Sequence, residues 1–346
     1  MDDIRVGLVG YGPAGRFFHA PLIHDTPGLR LAAVVTRDPG RAEEAGSRYD
    51  VPALPRAEDL FGRCDLVVVA SPNRTHVPIA EAALSAGLPV VVDKPLSATS
   101  VEARRLVALA EERGLMLTVF QNRRWDGDFL TLRHLLAKGA LGEVARFESR
   151  FERWRPEPKG GWRESGGAED VGGLLYDLGS HLVDQALRLF GPARTVYAEI
   201  DSRRPGVASD DDTFLALAHA GGVRSHLWMS AVTGRLGPRL RVLGSAGAYV
   251  KEGLDVQEDL LRAGVAPGTP GFGEEAEDRW GLLGTDEAAG RVRTEPGAYL
   301  DFYRGVERSL REGAPPPVDP ADAVETTRVL EAALLSAEQG TVTHLR

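Results

Sequence analysis

The sequence predicts an α/β chain in two parts. Residues 1–121 read as a doubly wound parallel sheet, and residues 122–346 as an α+β domain with a largely antiparallel sheet. Three observations carry this. The 346 residues exceed what one hydrophobic core usually holds. The first third alternates short apolar runs with helix-length segments, the rhythm of parallel strands covered on both faces. Beyond Gln121 strand-like runs follow one another with few helices between them, as antiparallel strands do.

In the first part, Ile4 to Val9, Leu31 to Val35, Leu66 to Ala70, Val90 to Val92 and Met116 to Phe120 are lightly charged, Val- and Leu-rich runs. Ala14 to Asp25, Arg41 to Tyr49, His76 to Ala86 and Val101 to Arg113 are the intervening helices. Ser100 is placed to cap the last of these, and Gly87 and Gly114 to end helices. In the second part Val144 to Arg153, Thr195 to Ile200, Thr213 to His219, Arg224 to Ala231 and Arg239 to Leu243 read as strands, with one strong helix, Leu174 to Phe190. Ala263 to Gly297 is rich in Gly, Pro and acidic residues and reads as surface loop. Leu300 to Arg311 and Ala321 to Glu338 are closing helices, able to pack back on the first domain.

Composition removes several classes of function. Lys+Arg 41 against Asp+Glu 50 gives a net charge of −9, which repels nucleic acid and anionic lipid. Cys64 is the single cysteine, so no intramolecular disulfide and no Cys-based metal cage can form. The longest apolar runs fall far short of the roughly 20 residues that cross a bilayer, and the acidic N-terminus is unlike a signal peptide. The expected location is the cytoplasm.

Gly10-Tyr11-Gly12-Pro13-Ala14-Gly15 fits G-x-G-x-x-G between the first strand and the first helix. Gly10 permits the turn, Gly12 lets a pyrophosphate reach the main chain, and Gly15 allows close helix–strand packing. The helix N-terminus beyond offers N–H groups and a positive dipole end. This is a dinucleotide site in a Rossmann fold. After the second strand, Thr36-Arg37 stands where an NAD-preferring site carries an acid. A hydroxyl and a guanidinium, with Arg41 a turn further on, suit the 2′-phosphate of NADP. NAD stays open, because Asp38 could hold a free ribose. Ser71-Pro72-Asn73 with His76, and Asp93-Lys94-Pro95, end two further strands at the carboxyl edge where ligands collect; a cis bond at Pro95 would aim Lys94 inward.

Gly172 to His181, continuing to Asp184, puts Asp177, His181 and Asp184 at i, i+4 and i+7 of an otherwise apolar helix. Such a polar stripe faces either a cavity or a satisfied core partner. Gly172, Gly173 and Gly179 indicate close approach by something flat or by another backbone. Asp, His and Asp could also ligate a metal, but no further ligand set accompanies them. Arg123, Trp125 and Trp162 set guanidinium and aromatic groups where a hydroxylated ligand could lie, or where two domains meet.

With these motifs in this order the chain resembles the Gfo/Idh/MocA oxidoreductases nearly end to end. The resemblance rests on the Gly10/Gly12/Gly15 turn, Lys94-Pro95 and the Gly-Gly-x-x-x-Asp-x-Gly-x-His run from Gly172 to His181. Asp93 replaces the Glu that many members carry before Lys-Pro. Phe120-Gln121-Asn122-Arg123-Arg124-Trp125-Asp126, Gly142-Glu143-Val144 and Tyr176-Asp177-Leu178 look most like the NADP-dependent scyllo-inositol dehydrogenase branch. The resemblance implies a Rossmann domain beside an open-faced sheet, a homodimer or homotetramer, and a polyol or sugar substrate. It implies that Lys94, Asp177 and His181 meet at the nicotinamide and also contact the substrate, with no metal. Relatives that are non-catalytic dinucleotide sensors or NAD-dependent glycosidases give the alternative functions.

Overall fold

The computed structural model describes residues 2–158, 160 and 171–345. The chain divides into two compact units. The first holds Met1–Trp125, Val256–Phe272 and Ala298–Val324; the second holds Asp126–Asp255, Gly273–Gly297 and Glu325–Arg346.

The first unit is built on six parallel strands: β1 (Ile4–Val9), β2 (Leu29–Val35), β3 (Ala53–Leu54), β4 (Leu66–Val69), β5 (Val90–Asp93) and β6 (Leu117–Phe120). Their order is β3-β2-β1-β4-β5-β6, the doubly wound arrangement whose strand order reverses beside β1. β4 and β6 are buried along their whole length, because helices cover both faces. The helix Ser100–Arg113 is capped by Thr99, not by Ser100. Thr99 accepts from the Glu102 N–H at 3.2 Å while Glu102 bonds back to the Thr99 main chain. Both residues can cap, and only the extended backbone at Thr99 decides between them. The returning segment Ala298–Val324 locks onto β6, where the Thr118 hydroxyl donates to the Val318 carbonyl at 2.8 Å. Its helix Leu300–Glu312 brings Phe302 against Phe120, ring centroids 4.9 Å apart.

The second unit carries nine strands: β7 (Val144–Glu152), β8 (Ala193–Asp201), β9 (Asp212–His219), β10 (Arg224–Ser230), β11 (Leu240–Gly244), β12 (Gly247–Lys251), β13 (Gly281–Gly284), β14 (Ala289–Val292) and β15 (Thr343–His344). The order is β14-β13-β12-β11-β7-β10-β9-β8-β15; β7 and β10 are parallel and the other neighbours antiparallel. Alternation along β9 and β10 buries Leu215, Leu217, Leu227 and Met229 on one face. The helix Ser180–Phe190 packs there, with Phe147 and Phe190 centroids 5.3 Å apart. The opposite face holds Phe214, His226 and Trp228, half-buried.

Two expectations are corrected. Ala263 to Gly297 is not all loop, since β13 and β14 extend the sheet. Each is four residues long and has Gly within it or at its ends, so its pairing partner, not its own pattern, makes it a strand. A helix also occupies Gly127–Ala137, where none was expected. Its start is held from far along the chain: the Gly127 N–H donates to Asp255 Oδ2 at 2.7 Å.

Candidate active site

The Gly-rich turn follows β1 at the point where the strand order reverses. Gly10 has φ +98°, and a Cβ there would lie 2.6 Å from the Ala70 carbonyl oxygen. A Cβ on Gly15 would collide with the Gly10 carbonyl. A Cβ on Gly12 would meet only Arg41 Nη1, at 4.0 Å. Two glycines thus let the chain pack on itself, and the middle one leaves open space beside a helix N-terminus and a guanidinium. That cradle fits a dinucleotide pyrophosphate. The helix behind it opens with a π turn, Gly15–His19, before Ala20–His24. Tyr11, expected at the cofactor, is 1% exposed with burial raising its phenol pKa, so only its main chain is available to a ligand. Pro13 is exposed and has no N–H to donate, and Ala14 is half-buried at the helix cap.

At the end of β2, Asp38 caps the helix Pro39–Tyr49, its Oδ1 accepting from the Arg41 N–H at 2.9 Å. The Thr36 hydroxyl oxygen accepts from the Asp38 N–H at 3.3 Å, which leaves its own proton to donate. Arg37 and Arg41 are exposed.

At the ends of β4 and β5 the structure changes two assignments. His76 is 1% exposed, and its ring clasps the Pro95 carbonyl through Nδ1 at 2.8 Å and the Ser71 carbonyl through Nε2 at 2.9 Å. It ties the two loops together instead of facing a ligand. Desolvation lowers its pKa against the pull of Asp93 and the two carbonyls. The Ser71 hydroxyl bonds to Thr75 at 2.6 Å, and Asn73 opens the short helix Asn73–Thr75. The Lys94–Pro95 bond is cis and Lys94 is half-buried. Asp93 turns inward: its Oδ1 accepts the Lys94 N–H at 2.9 Å and faces buried His19. Burial opposes its charge, but His19, Lys94 and His76 together hold the carboxyl below its ordinary value.

The expected ligand groups Arg123 and Trp125 are used within the first unit. Arg123 is 7% exposed and pairs with Glu258 at 2.8 Å, and Trp125 packs edge-on against Phe302 at 5.6 Å. Trp162 lies outside the described residues.

In the second unit the expected helix Leu174 to Phe190 is a π turn, Leu175–Gly179, running into Ser180–Phe190. Asp177 is in the π turn and half-buried; His181 and Asp184, 5% and 2% exposed, are in the α-helix. Asp210, which the sequence reading missed, holds the start of this helix. Its Oδ2 accepts from the Leu175 N–H at 2.7 Å and from the Thr213 hydroxyl at 2.8 Å. Gly173, at φ +88°, has no room for a Cβ because the Asp210 carboxylate stands there. A Cβ on Gly179 would lie 3.3 Å from Met229 Cε. The close approach at these two glycines is therefore by the protein's own side chains. Among the described residues no group of His, Cys, Asp or Glu is placed to hold a metal, and no helix is long and apolar enough to cross a membrane.

Comparison with known proteins agrees with these features. Residues 4–121 match the model of an oxidoreductase family with an NAD-binding Rossmann fold, and residues 129–250 match the GFO/IDH/MocA C-terminal domain. The chain is 41% identical to the uncharacterized oxidoreductase YdgJ of Escherichia coli, covering 97% of each. It is 34% identical to scyllo-inositol 2-dehydrogenase (NADP(+)) IolW of Bacillus subtilis, covering 98% of this chain and 95% of that one. The structure of yvaA from Bacillus subtilis superposes with a TM-score of 0.94 at 33% identity, covering 100% and 99% of the two chains. The Gly10–Gly15 cradle, the β3-β2-β1-β4-β5-β6 sheet and both family matches together mean that this chain belongs to the Gfo/Idh/MocA family and is an NAD(P)-dependent oxidoreductase.

Proposed function

We propose that the chain transfers hydride between NADP and a secondary alcohol, or the matching ketone, of a cyclic polyol or sugar of inositol type. The observation that carries the cofactor choice is the end of β2. There Asp38 is engaged as a helix cap, while Thr36, Arg37 and Arg41 present a hydroxyl and two guanidinium groups suited to a 2′-phosphate. The substrate class is supported by the 34% identity to IolW over nearly the whole of both chains and by the presence in this sequence of Lys94-Pro95 and of the run from Gly172 to His181.

The nicotinamide, when bound, supplies a hydride acceptor or donor. The main chain around Gly12 and the helix N-terminus receive the pyrophosphate. In the oxidation direction His181 takes the hydroxyl proton as the carbon loses hydride, leaving the ketone. Imidazole suits this task because its ordinary titration lies near neutral pH. Asp177 orients that ring or relays its proton, and Lys94 holds the same oxygen and offsets the negative charge developing on it.

A panel of inositols, aldoses and their keto forms, run with NAD and with NADP, tests the reading through the absorbance of reduced nicotinamide. The expected result is accumulation of reduced cofactor with a polyol, faster with NADP. Cofactor binding without turnover would indicate a sensor. Glycosidic cleavage without accumulation would indicate a glycosidase. We place a contact with a second copy of the chain on the half-buried sheet face, where Arg150 sits 4.0 Å above the Trp228 ring and Phe214 packs beside it at 5.1 Å. Light scattering on Trp228→Glu should show monomers; an unchanged oligomer would move the contact elsewhere.

A further inference from the structure

We propose that Tyr303, His19 and Asp93 form a buried relay that positions Lys94, making His19 and Tyr303 positioning residues for the proposed hydride transfer. The proposal rests on the role given to Lys94 above, and all four residues lie in the first unit.

His19 ends the π turn behind the Gly-rich loop and is 0% exposed. Its Nδ1 lies 2.6 Å from the Tyr303 hydroxyl, and its ring packs tilted against Phe120 with centroids 4.4 Å apart. Tyr303 is also 0% exposed, and burial followed by the nearby Asp93 charge holds its pKa well above that of a free phenol. Its hydroxyl therefore keeps its proton. Among the described residues that proton has no other acceptor, and leaving it buried and unbonded would cost about 1–3 kcal/mol. Tyr303 thus donates to Nδ1, which fixes His19 in the tautomer that carries its hydrogen on Nε2.

That Nε2 has no hydrogen-bond partner among the described residues. It faces Asp93 Oδ1 at 3.8 Å, so a shift of under about 1 Å in the carboxylate makes a charge-assisted hydrogen bond. The same Oδ1 accepts the Lys94 main-chain N–H. Orientation passes from Tyr303 through the ring and carboxylate to the peptide that carries Lys94. The arrangement also gives a reason for the return of Ala298–Val324 to the first unit, since that segment delivers Tyr303.

The test combines spectroscopy with kinetics. Nitrogen NMR of histidine-labelled full-length protein, with the His19 signals assigned from a His19→Gln sample, should show His19 as the Nε2–H tautomer. Tyr303→Phe should lose that signature and lower kcat about tenfold, with NADP(H) affinity held within about twofold. His19→Gln, whose amide nitrogen can stand near Nε2, should retain more kcat than His19→Leu by about tenfold or more. A hydrogen on Nδ1 in the wild type would overturn the relay. Equal kcat for the Gln and Leu variants would overturn its positioning role. If wild-type protein reduces no cofactor with any substrate, the function assigned to the site fails, while the tautomer still decides the relay.

Discussion

Two glycine-rich turns lead into the two helices proposed to carry function, and each helix begins with a π turn. They use their glycines for opposite ends. At Gly10-x-Gly12-x-x-Gly15 the outer two glycines make room for the chain's own backbone, and Gly12 leaves open space. At Gly172-Gly173 the space is already filled, because the Asp210 carboxylate occupies the position of a Gly173 Cβ and holds the Leu175 N–H. The first turn leaves open the space proposed for the dinucleotide. The second makes room for the protein itself. A glycine motif alone does not say which; the atoms that would meet its Cβ do.

The largest effects should separate what the two turns support. Lys94→Ala and His181→Ala are each expected to lower turnover at least a hundredfold. Cofactor affinity should fall more for Lys94→Ala, in the unit that holds the dinucleotide cradle, than for His181→Ala. Steady-state rates and cofactor titrations check both, and near-wild-type turnover in His181→Ala would remove that residue from the mechanism.

Beside the first turn, Arg37→Ala should weaken NADP about ten- to a hundredfold and NAD much less. Thr36→Asp should shift preference toward NAD by repelling the 2′-phosphate and accepting from a free hydroxyl. Tighter binding of NAD by the wild type, with equal effects of Arg37→Ala on both cofactors, would return Asp38 as the ribose ligand.

The glycines themselves give the most direct comparison. Gly173→Ala places a side chain at φ +88° against Asp210 and should cost about 2 kcal/mol of stability. Gly12→Ala should leave the thermal midpoint of cofactor-free protein unchanged and weaken NADP(H) binding. Should Gly12→Ala destabilise the chain, or Gly173→Ala leave it intact, the two turns do not use their glycines for opposite ends.

The smallest effect is one of pH. The folded chain holds the Asp93 carboxyl below its ordinary value, so its contribution to stability is complete above the unfolded value, about pH 3.9, and is lost as the pH falls through the folded one. Denaturant titrations from pH 5 downward should show a shallower loss for Asp93→Asn than for the wild type; parallel curves would remove Asp93 from the balance.

Periodicity and spacing made much of the molecule legible. The apolar runs Ile4 to Val9 and Leu66 to Ala70, and the alternation in Thr213 to His219, are local patterns that burial on two faces or on one requires. The Gly-rich turn was legible because its chemistry is contiguous in the chain. Other features were not, among them the strands Gly281–Gly284 and Ala289–Val292, the helix Gly127–Ala137, Asp210 beneath Gly173, and His19 with Tyr303 behind Asp93. Each depends on a partner distant in sequence. Asp255 is 128 residues from Gly127, and Tyr303 is 284 from His19. Short segments and single polar side chains carry too little local preference to announce such partners. The sequence therefore determined the longer strands of both sheets, most of the long helices and the dinucleotide turn. Only tertiary packing decided that His76 ties loops together, that Arg123 pairs with Glu258, and that Gly173 yields its space to Asp210, because burial obliges each polar group to find whichever partner the fold brings within reach.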